Sequence, residues 1–155
     1  MPQLVKGGKH AYGWSEVSAT GKVAIPSEAL AEYNLTLPCK VFLLSGSKRS
    51  GGFAVTTSSL LKNSVLLRPL DENPQLSSFQ LPEGGTVTVA GKPYCWVTLN
   101  TDSCITVPLE TLKQYGVNAG DRLLAVRGSC VALAFCVKGP IIEEAKKHPN
   151  LTLLK

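Results

Sequence analysis

An internal repeat constrains this chain more than any other feature of its sequence. When the sequence is compared with itself at an offset of 82 residues, residues 12–14 align with 94–96 and bring both tryptophans into register. Ten identities fall, without a gap, between residues 9–61 and 91–143, where average composition would give about three by chance. Such a chain is expected to fold as two copies of one structural unit.

Each copy carries the same succession of short apolar strands around one short helix. Runs of aromatic and β-branched residues predict the strands, at 12–17, 22–25, 41–44 and 53–56 in the first copy and at 86–90, 94–99, 104–107, 123–126 and 131–137 in the second. Pro26 and Pro108 predict helix starts, because a proline at the first helical position loses no hydrogen bond. Asn34 and Gly116 are suited to end these helices in the left-handed conformation.

A turn-rich segment divides the two copies. Residues 63–82 contain prolines, serines, an asparagine and an aspartate, which predicts a linker. The chain is thus divided into a first repeat over residues 1–62 and a second repeat over 83–155. A short helix is predicted near the end of each repeat, around residues 57–61 and over residues 140–147, the latter as a C-terminal helix.

The helix-proximal sequences carry a family resemblance. Residues 21–35 read Gly-Lys-Val-Ala-Ile-Pro-Ser-Glu-Ala-Leu-Ala-Glu-Tyr-Asn-Leu, and residues 105–123 contain Ile-Thr-Val-Pro-Leu-Glu followed by the turn Gly-Val-Asn-Ala-Gly-Asp-Arg-Leu. Both resemble the AbrB/MazE/SpoVT swapped-hairpin family, in which a Gly-[Arg/Lys] strand leads through Pro-x-Glu into a short helix, a Gly-Asp turn and a hairpin. The resemblance implies a mainly β fold with short helices, a tandem β-β-α-β-β swapped-hairpin barrel that is AbrB-like and double-psi-like.

The size of one unit explains why two are needed. A β-β-α-β-β unit of about 45–50 residues has too little core to be stable alone, and family members pair two units by interlocking their hairpins. Two copies in one chain supply both halves. The sequence leaves open whether the copies interlock within one chain or between two chains of a homodimer.

Charge is distributed unevenly between the two copies. The chain has 16 Lys and Arg against 11 Asp and Glu, a net charge of +5. Residues 1–70 hold eight basic and three acidic side chains, whereas residues 71–155 hold eight of each. The whole excess therefore lies in the first half, where it is compatible with nucleic acid without requiring it.

The resemblance implies a DNA-binding transcriptional regulator that neutralises phosphates with several Lys and Arg side chains on one surface. Lys22 occupies the Gly-[Arg/Lys] position of the family, and Lys9 lies in the first hairpin turn. Lys48 and Arg49 lie in the glycine-rich loop 46–52, which can approach phosphates closely. Duplex DNA is the expected partner. The alternatives are a solvated surface lysine at Lys9 and Lys22, and a plain hairpin turn at the loop.

The second copy departs from this basic pattern. It has Ser103 and Cys104 in place of Gly-Lys, and the apolar segment 130–134 in place of the basic loop. Near the end of the short helix, where many DNA-binding members carry arginines, the copies have Ala31-Glu32 and Lys113-Gln114. We expect a homodimer or a higher homo-oligomer, because two basic first repeats related by a two-fold axis suit a palindromic site.

Several other classes of protein are disfavoured. No run of 18 apolar residues predicts a transmembrane helix. Five cysteines, an odd number, together with no signal-peptide core in residues 1–10, favour reduced thiols and a cytoplasmic location. No C-x-x-C pair, Ser/His/Asp set or paired carboxylates stand out, so we expect no metal site, no cofactor, no catalytic residues and no enzyme activity.

The alternative function is an antitoxin-like or assembly module that binds a protein partner instead of DNA. Antitoxins of the MazE type usually append a long acidic C-terminal segment that wraps the toxin. The end of this sequence is apolar and basic, which disfavours the antitoxin hypothesis. A related possibility is a scaffold that has lost DNA binding.

Overall fold

The structure is a computed structural model that describes residues 3–5, 9–46, 50–127, 131–139, 142–143, 146–147 and 153–154. Strands dominate it, as expected, and every helix is short. The elements of the first repeat are β1 (Gln3–Val5), β2 (Lys9–Glu16), β3 (Lys22–Ala24), α1 (Ser27–Glu32), β4 (Cys39–Ser45) and β5 (Phe53–Thr56).

The linker between the repeats is more ordered than a plain connection. A 3-10 turn (Val65–Leu67) is followed by two four-residue helices, α2 (Arg68–Asp71) and α3 (Pro74–Ser77). The helix predicted around residues 57–61 is wrong: these residues form turns, because a single bond, from Leu61 N–H to the Thr57 carbonyl at 3.1 Å, spans them in the α-helical pattern.

The second repeat has the same order of strands and helix as the first. Its elements are β6 (Val87–Val89), β7 (Lys92–Leu99), β8 (Cys104–Thr106), α4 (Leu109–Gln114), β9 (Arg122–Arg127), β10 (Leu133–Cys136) and β11 (Leu153–Leu154). Of the predicted C-terminal helix over 140–147, the pair 142–143 is helical, and most of the rest lies outside the described residues. No helix in the described part of the chain has the length and apolar character needed to cross a bilayer.

The sheet is arranged with a pseudo-two-fold axis. Its strands run in the order β1-β2-β9-β10-β5-β4-β7-β6, with β11 added beside β2. Apart from β11, exchanging each strand for its counterpart in the other repeat gives the same order read from the opposite end. At its centre, Phe53 pairs with Phe135, and in the separate β3–β8 pair Val23 pairs with Ile105. Both pairs join residues 82 positions apart, so the axis passes through both.

The repeats interlock within one chain. The first long strand of each repeat, β2 or β7, pairs with the strand that follows the helix of the other repeat, β9 or β4. The registers are equivalent: Gly13 pairs with Ala125, and their counterparts Cys95 and Leu43 pair with each other. The described strands form a path with two ends, β1 and β6. The expected closure into a barrel is therefore not met among these strands, since β1 and β6 each pair with one neighbour.

Apolar clusters lie on both faces of the sheet. The central cluster takes side chains from both repeats, including Phe53, Phe135 and Ile105, each fully buried. On the opposite face, the linker helices cover Trp96, which donates its indole N–H to the Leu81 carbonyl at 2.8 Å. These contacts make the linker part of the fold and leave Trp96 only 8% exposed.

The two repeat helices end alike. Asn34 and Gly116 adopt positive φ angles of 54° and 78°. The next residue then bonds back to the helix, with Leu35 N–H donating to the Leu30 carbonyl at 2.8 Å. This is the six-residue closing bond of a Schellman motif, so the predicted left-handed ends of both helices are confirmed.

Candidate nucleic-acid interface

The strand pair β3–β8, with its flanking turns 18–21 and 100–103, forms a two-stranded ribbon on the pseudo-two-fold axis. Val23 and Ile105 are fully buried beneath it, whereas Lys22 and its partner Thr106 are exposed. Lys22 and Thr106 thus lie on the solvent face at one end of the pair, while Ala24 and Cys104 at the other end are buried. We call this face the ribbon surface.

Each turn of the ribbon is fastened to the opposite strand. The Gly21 carbonyl accepts the Val107 N–H at 3.0 Å, and the Ser103 carbonyl accepts the Ile25 N–H at 2.8 Å. Gly21 has a φ of +87°, and a Cβ there would lie 2.0 Å from the Val107 carbonyl oxygen. The glycine that precedes Lys22 is therefore required by the close approach of the two chains.

An acidic side chain of the second repeat pairs with Lys22. Lys22 Nζ lies 2.8 Å from Asp102 Oδ2, and Asp102 Oδ1 accepts the Cys104 N–H at 3.0 Å. The hydrogen bond to Asp102 raises the pKa of Lys22, and the same bond lowers the pKa of Asp102. Within residues 18–24 and 100–106 these two are the charged side chains, so the ribbon surface has no net charge.

The basic loop 46–52 joins β4 to β5, and hydrogen bonds fix both of its ends. Lys48 and Arg49 themselves lie outside the described residues, but both arms of the loop are defined. Gly46 N–H donates to the Gly52 carbonyl at 3.0 Å, and Gly52 N–H donates to the Tyr115 carbonyl at 3.0 Å. The loop is therefore closed at its base, and its second arm is fixed against the C-terminal end of α4.

A second contact fixes the loop beside β10. The Ser50 carbonyl accepts the N–H groups of Val137 at 2.9 Å and Lys138 at 3.0 Å. Gly52 has a φ of +69°, and a Cβ there would lie 2.0 Å from the Phe135 carbonyl oxygen. A side chain at this position would push the loop away from β10.

Lys138 of the second repeat lies beside this loop, and Lys113 lies near the end of α4 to which the loop is bonded; both lysines are exposed. A Cβ on Gly51 would lie 3.6 Å from Lys138 Cε, so the lysine side chain runs along the loop arm. Lys113 lies in the last turn of α4, two residues before the Tyr115 carbonyl that holds Gly52. Neither lysine has an ion-pair partner among the residues described. We call Ser50, Gly51, Lys113 and Lys138 the loop surface.

The equivalent end of the first repeat is electrically neutral. There the Arg127 guanidinium contacts Glu32, with Nη2 at 2.6 Å and Nε at 3.0 Å from Oε2, and the Tyr12 hydroxyl donates to the same carboxylate. The counterparts of Arg127 and Glu32 are Ser45 and Gln114. The pseudo-two-fold axis thus relates a cationic end to a neutral one.

The predicted site residues fall into separate places. Lys22 lies on the ribbon surface in an ion pair, and Lys9 begins β2, with its side chain outside the described part. Sequence reasoning named neither Lys113 nor Lys138 as a site residue. The antiparallel pairing of β5 with β10 places Lys138, which follows β10, beside the residues before β5. Knowledge of that pairing would have been needed to identify it.

Burial raises the thiol pKa of three of the described cysteines, Cys39, Cys95 and Cys104. Burial raises the pKa of the Cys95 thiol to about 11, so it is protonated at neutral pH. Among the described residues, no three His, Cys, Asp or Glu side chains are grouped as a metal site would require. Comparison of the chain with protein-family models and with curated proteins gives no match.

Proposed function

We propose that this protein is a DNA-binding transcriptional regulator of the AbrB/SpoVT type that binds duplex DNA through the basic loop 46–52 and the loop surface. One observation carries the proposal: the Ser50 carbonyl holds the loop against Lys138, which is exposed and has no ion-pair partner in the described part of the chain. Lys48 and Arg49 lie between the two anchored arms of this loop.

The chemistry of the loop suits a phosphate backbone. Lysine and arginine side chains gain affinity for DNA by neutralising phosphates and releasing counterions. Gly51 has no side chain, so a phosphate can approach the backbone there closely, whereas Gly52 is buried against β10. Arg49 adds a planar guanidinium, the group that reads the O6 and N7 edge of guanine.

We propose the swapped-hairpin fold of the same family for the shared sheet. Two observations support it. Each repeat has the same order of three strands, one helix and two strands, and the reciprocal pairs β2–β9 and β4–β7 have equivalent registers. The proposed fold therefore rests on interlocked halves, whereas the DNA proposal rests on charge.

We further propose that the protein acts in the cytoplasm as a homodimer. One chain offers one cationic loop, because residues 128–134, the equivalent segment of the second repeat, contain no Lys or Arg. A palindromic duplex presents two equivalent half-sites. Two chains would supply the second cationic loop.

A fluorescence anisotropy titration tests the proposal. The probe is a labelled 20-base-pair duplex, titrated at about 50 mM and 200 mM salt. Four contacts from Lys48, Arg49, Lys113 and Lys138 in each chain of the homodimer would give a fall in affinity of roughly 10,000-fold between these salt concentrations. Absent or salt-insensitive binding would contradict the proposal and favour the protein-binding module.

A further inference from the structure

The Lys22–Asp102 ion pair joins the two repeats at their shared axis. Lys22 belongs to β3, and Asp102 belongs to the turn before β8. The counterpart of Lys22 in the second repeat is Cys104, and the counterpart of Asp102 in the first is Thr20. The pseudo-symmetry therefore does not generate a second such pair.

The Asp102 carboxylate is held in place. One oxygen accepts the Cys104 N–H at 3.0 Å, and the other lies 2.8 Å from Lys22 Nζ. Both side chains remain about half exposed, at 48% and 50%. A phosphate that approached Lys22 would meet a fixed negative charge within hydrogen-bonding distance of the ammonium.

We infer that Asp102 shields Lys22 from phosphate groups and so directs DNA away from the ribbon surface towards the loop surface. This inference rests on the proposed function, because it concerns which lysines the duplex uses. The Asp102 carboxylate occupies the position beside Lys22 Nζ that a phosphate oxygen would otherwise take. A duplex gains a contact with Lys22 only by displacing this carboxylate and accepting its repulsion.

The test is a double-mutant cycle on duplex binding. Asp102→Asn removes the charge but keeps an oxygen that can accept the Cys104 N–H. We expect this variant to bind a non-specific 20-base-pair duplex about fivefold more tightly at low salt, with a slope of log affinity against log salt steeper by about 0.9 for each chain whose Lys22 gains a phosphate contact. Adding Lys22→Ala to Asp102→Asn should remove this gain.

A matched control distinguishes the effect of removing Asp102 from the ribbon surface from the general effect of removing one negative charge. Glu143→Gln also removes one acid from an ion pair, since Glu143 lies 3.6 Å from Lys146, and it should give a smaller gain than Asp102→Asn. Equal gains from the two variants would overturn the inference, as would a gain in Asp102→Asn that persists after Lys22→Ala. Thermal unfolding of each variant verifies that it is folded.

The outcomes distinguish the two proposals. If the unmodified protein binds the duplex and Asp102→Asn binds no more tightly, the inference fails and the proposed function stands. If duplex binding is absent but Asp102→Asn elutes from heparin-agarose at higher salt than the unmodified protein in a Lys22-dependent way, shielding stands and the proposed function fails. If neither the unmodified protein nor Asp102→Asn binds the duplex or heparin, the inference and the proposed function both fail.

Discussion

Phe53 and Phe135 occupy the same place in the two repeats and pair with each other across β5 and β10, with their ring centroids 5.2 Å apart. Both are fully buried. An internal repeat that meets itself at one residue pair defines a pseudo-two-fold axis. The two halves therefore share one core, and neither is expected to fold alone.

Because the two repeats share this core, substitution of either phenylalanine at the pseudo-two-fold axis should lower the stability of the protein strongly. Phe53→Ala should lower the free energy of unfolding by about 3–5 kcal/mol, because it removes a buried ring and leaves a cavity. Phe135→Ala should cost about as much, and the double variant should cost less than the sum, since the rings contact each other. Urea unfolding measures all three. Val65→Ala, at a side chain that is 87% exposed, should change stability by less than about 0.5 kcal/mol.

The two ribbon turns predict opposite responses to substitution. Gly21→Ala should destabilise the protein by more than about 2 kcal/mol, because the new Cβ would collide with the Val107 carbonyl oxygen. Ser103 has a φ of +66°, so Ser103→Gly should relieve strain and stabilise by about 0.5–1 kcal/mol. Chemical denaturation compares the two variants. A stabilising Gly21→Ala would contradict the described turn.

Tyrosine burial predicts a loss of stability in alkali. Burial, followed by the hydrogen bond to Glu32, raises the pKa of Tyr12, and burial also raises the pKa of Tyr94 and Tyr115. Above the ordinary pKa near 10 the unfolded chain loses these protons first. The stabilisation is therefore complete below pH 10 and declines as the pH rises towards the folded-state values.

Two measurements check this pH dependence. Phenolate absorbance of the native protein should lag behind that of the unfolded chain at pH 11. The free energy of unfolding should fall between pH 9 and pH 11, and Tyr12→Phe should lessen the fall. A free energy that rises over this interval would contradict the assigned environments.

Much of the secondary structure could be predicted from the sequence because local signals mark it. The helix starts at Pro26 and Pro108 and the ends at Asn34 and Gly116 depend on backbone geometry that one residue type favours. The pairing of β2 with β9 joins distant segments, and no local pattern specifies it. The repeat predicted interlocking, but it did not reveal that both halves come from one chain.

Departures from symmetry could not be predicted. Tyr12 and Tyr94 align in sequence, yet Tyr12 packs in the central cluster and Tyr94 on the linker-covered face. The register shift between Ala11 and Gly13 accounts for this difference, since one extra residue turns a side chain to the other face. The hairpins differ too: Ser45 pairs with Phe53, whereas its counterpart Arg127 pairs with Leu133.

The site was predictable only where a local motif marks it, and not where it depends on contacts between the two repeats. Lys22 was identified by its motif, but its partner Asp102 lies in the other repeat and depends on the β3–β8 pairing. Counting charge by halves of the sequence assigned the basic excess to residues 1–70. The fold adds Lys113 and Lys138 from the second half to the same loop.

The proposed homodimer predicts a specific mass. Multi-angle light scattering should give about 33 kDa, twice the 16.5 kDa of one chain. A palindromic duplex should then bind one dimer. A mass of one chain, with and without the duplex, would contradict the homodimer while leaving the interlocked fold of a single chain intact.

The most direct test of the account compares two sets of three cation removals in the anisotropy titration at low salt. Lys48→Ala, Arg49→Ala and Lys138→Ala together remove the charge of the anchored loop, and they should weaken duplex binding by roughly 10- to 100-fold. Lys62→Ala, Lys146→Ala and Lys147→Ala together remove the same charge elsewhere and should weaken it less than threefold. Equal losses from the two sets would contradict a DNA site at the loop surface.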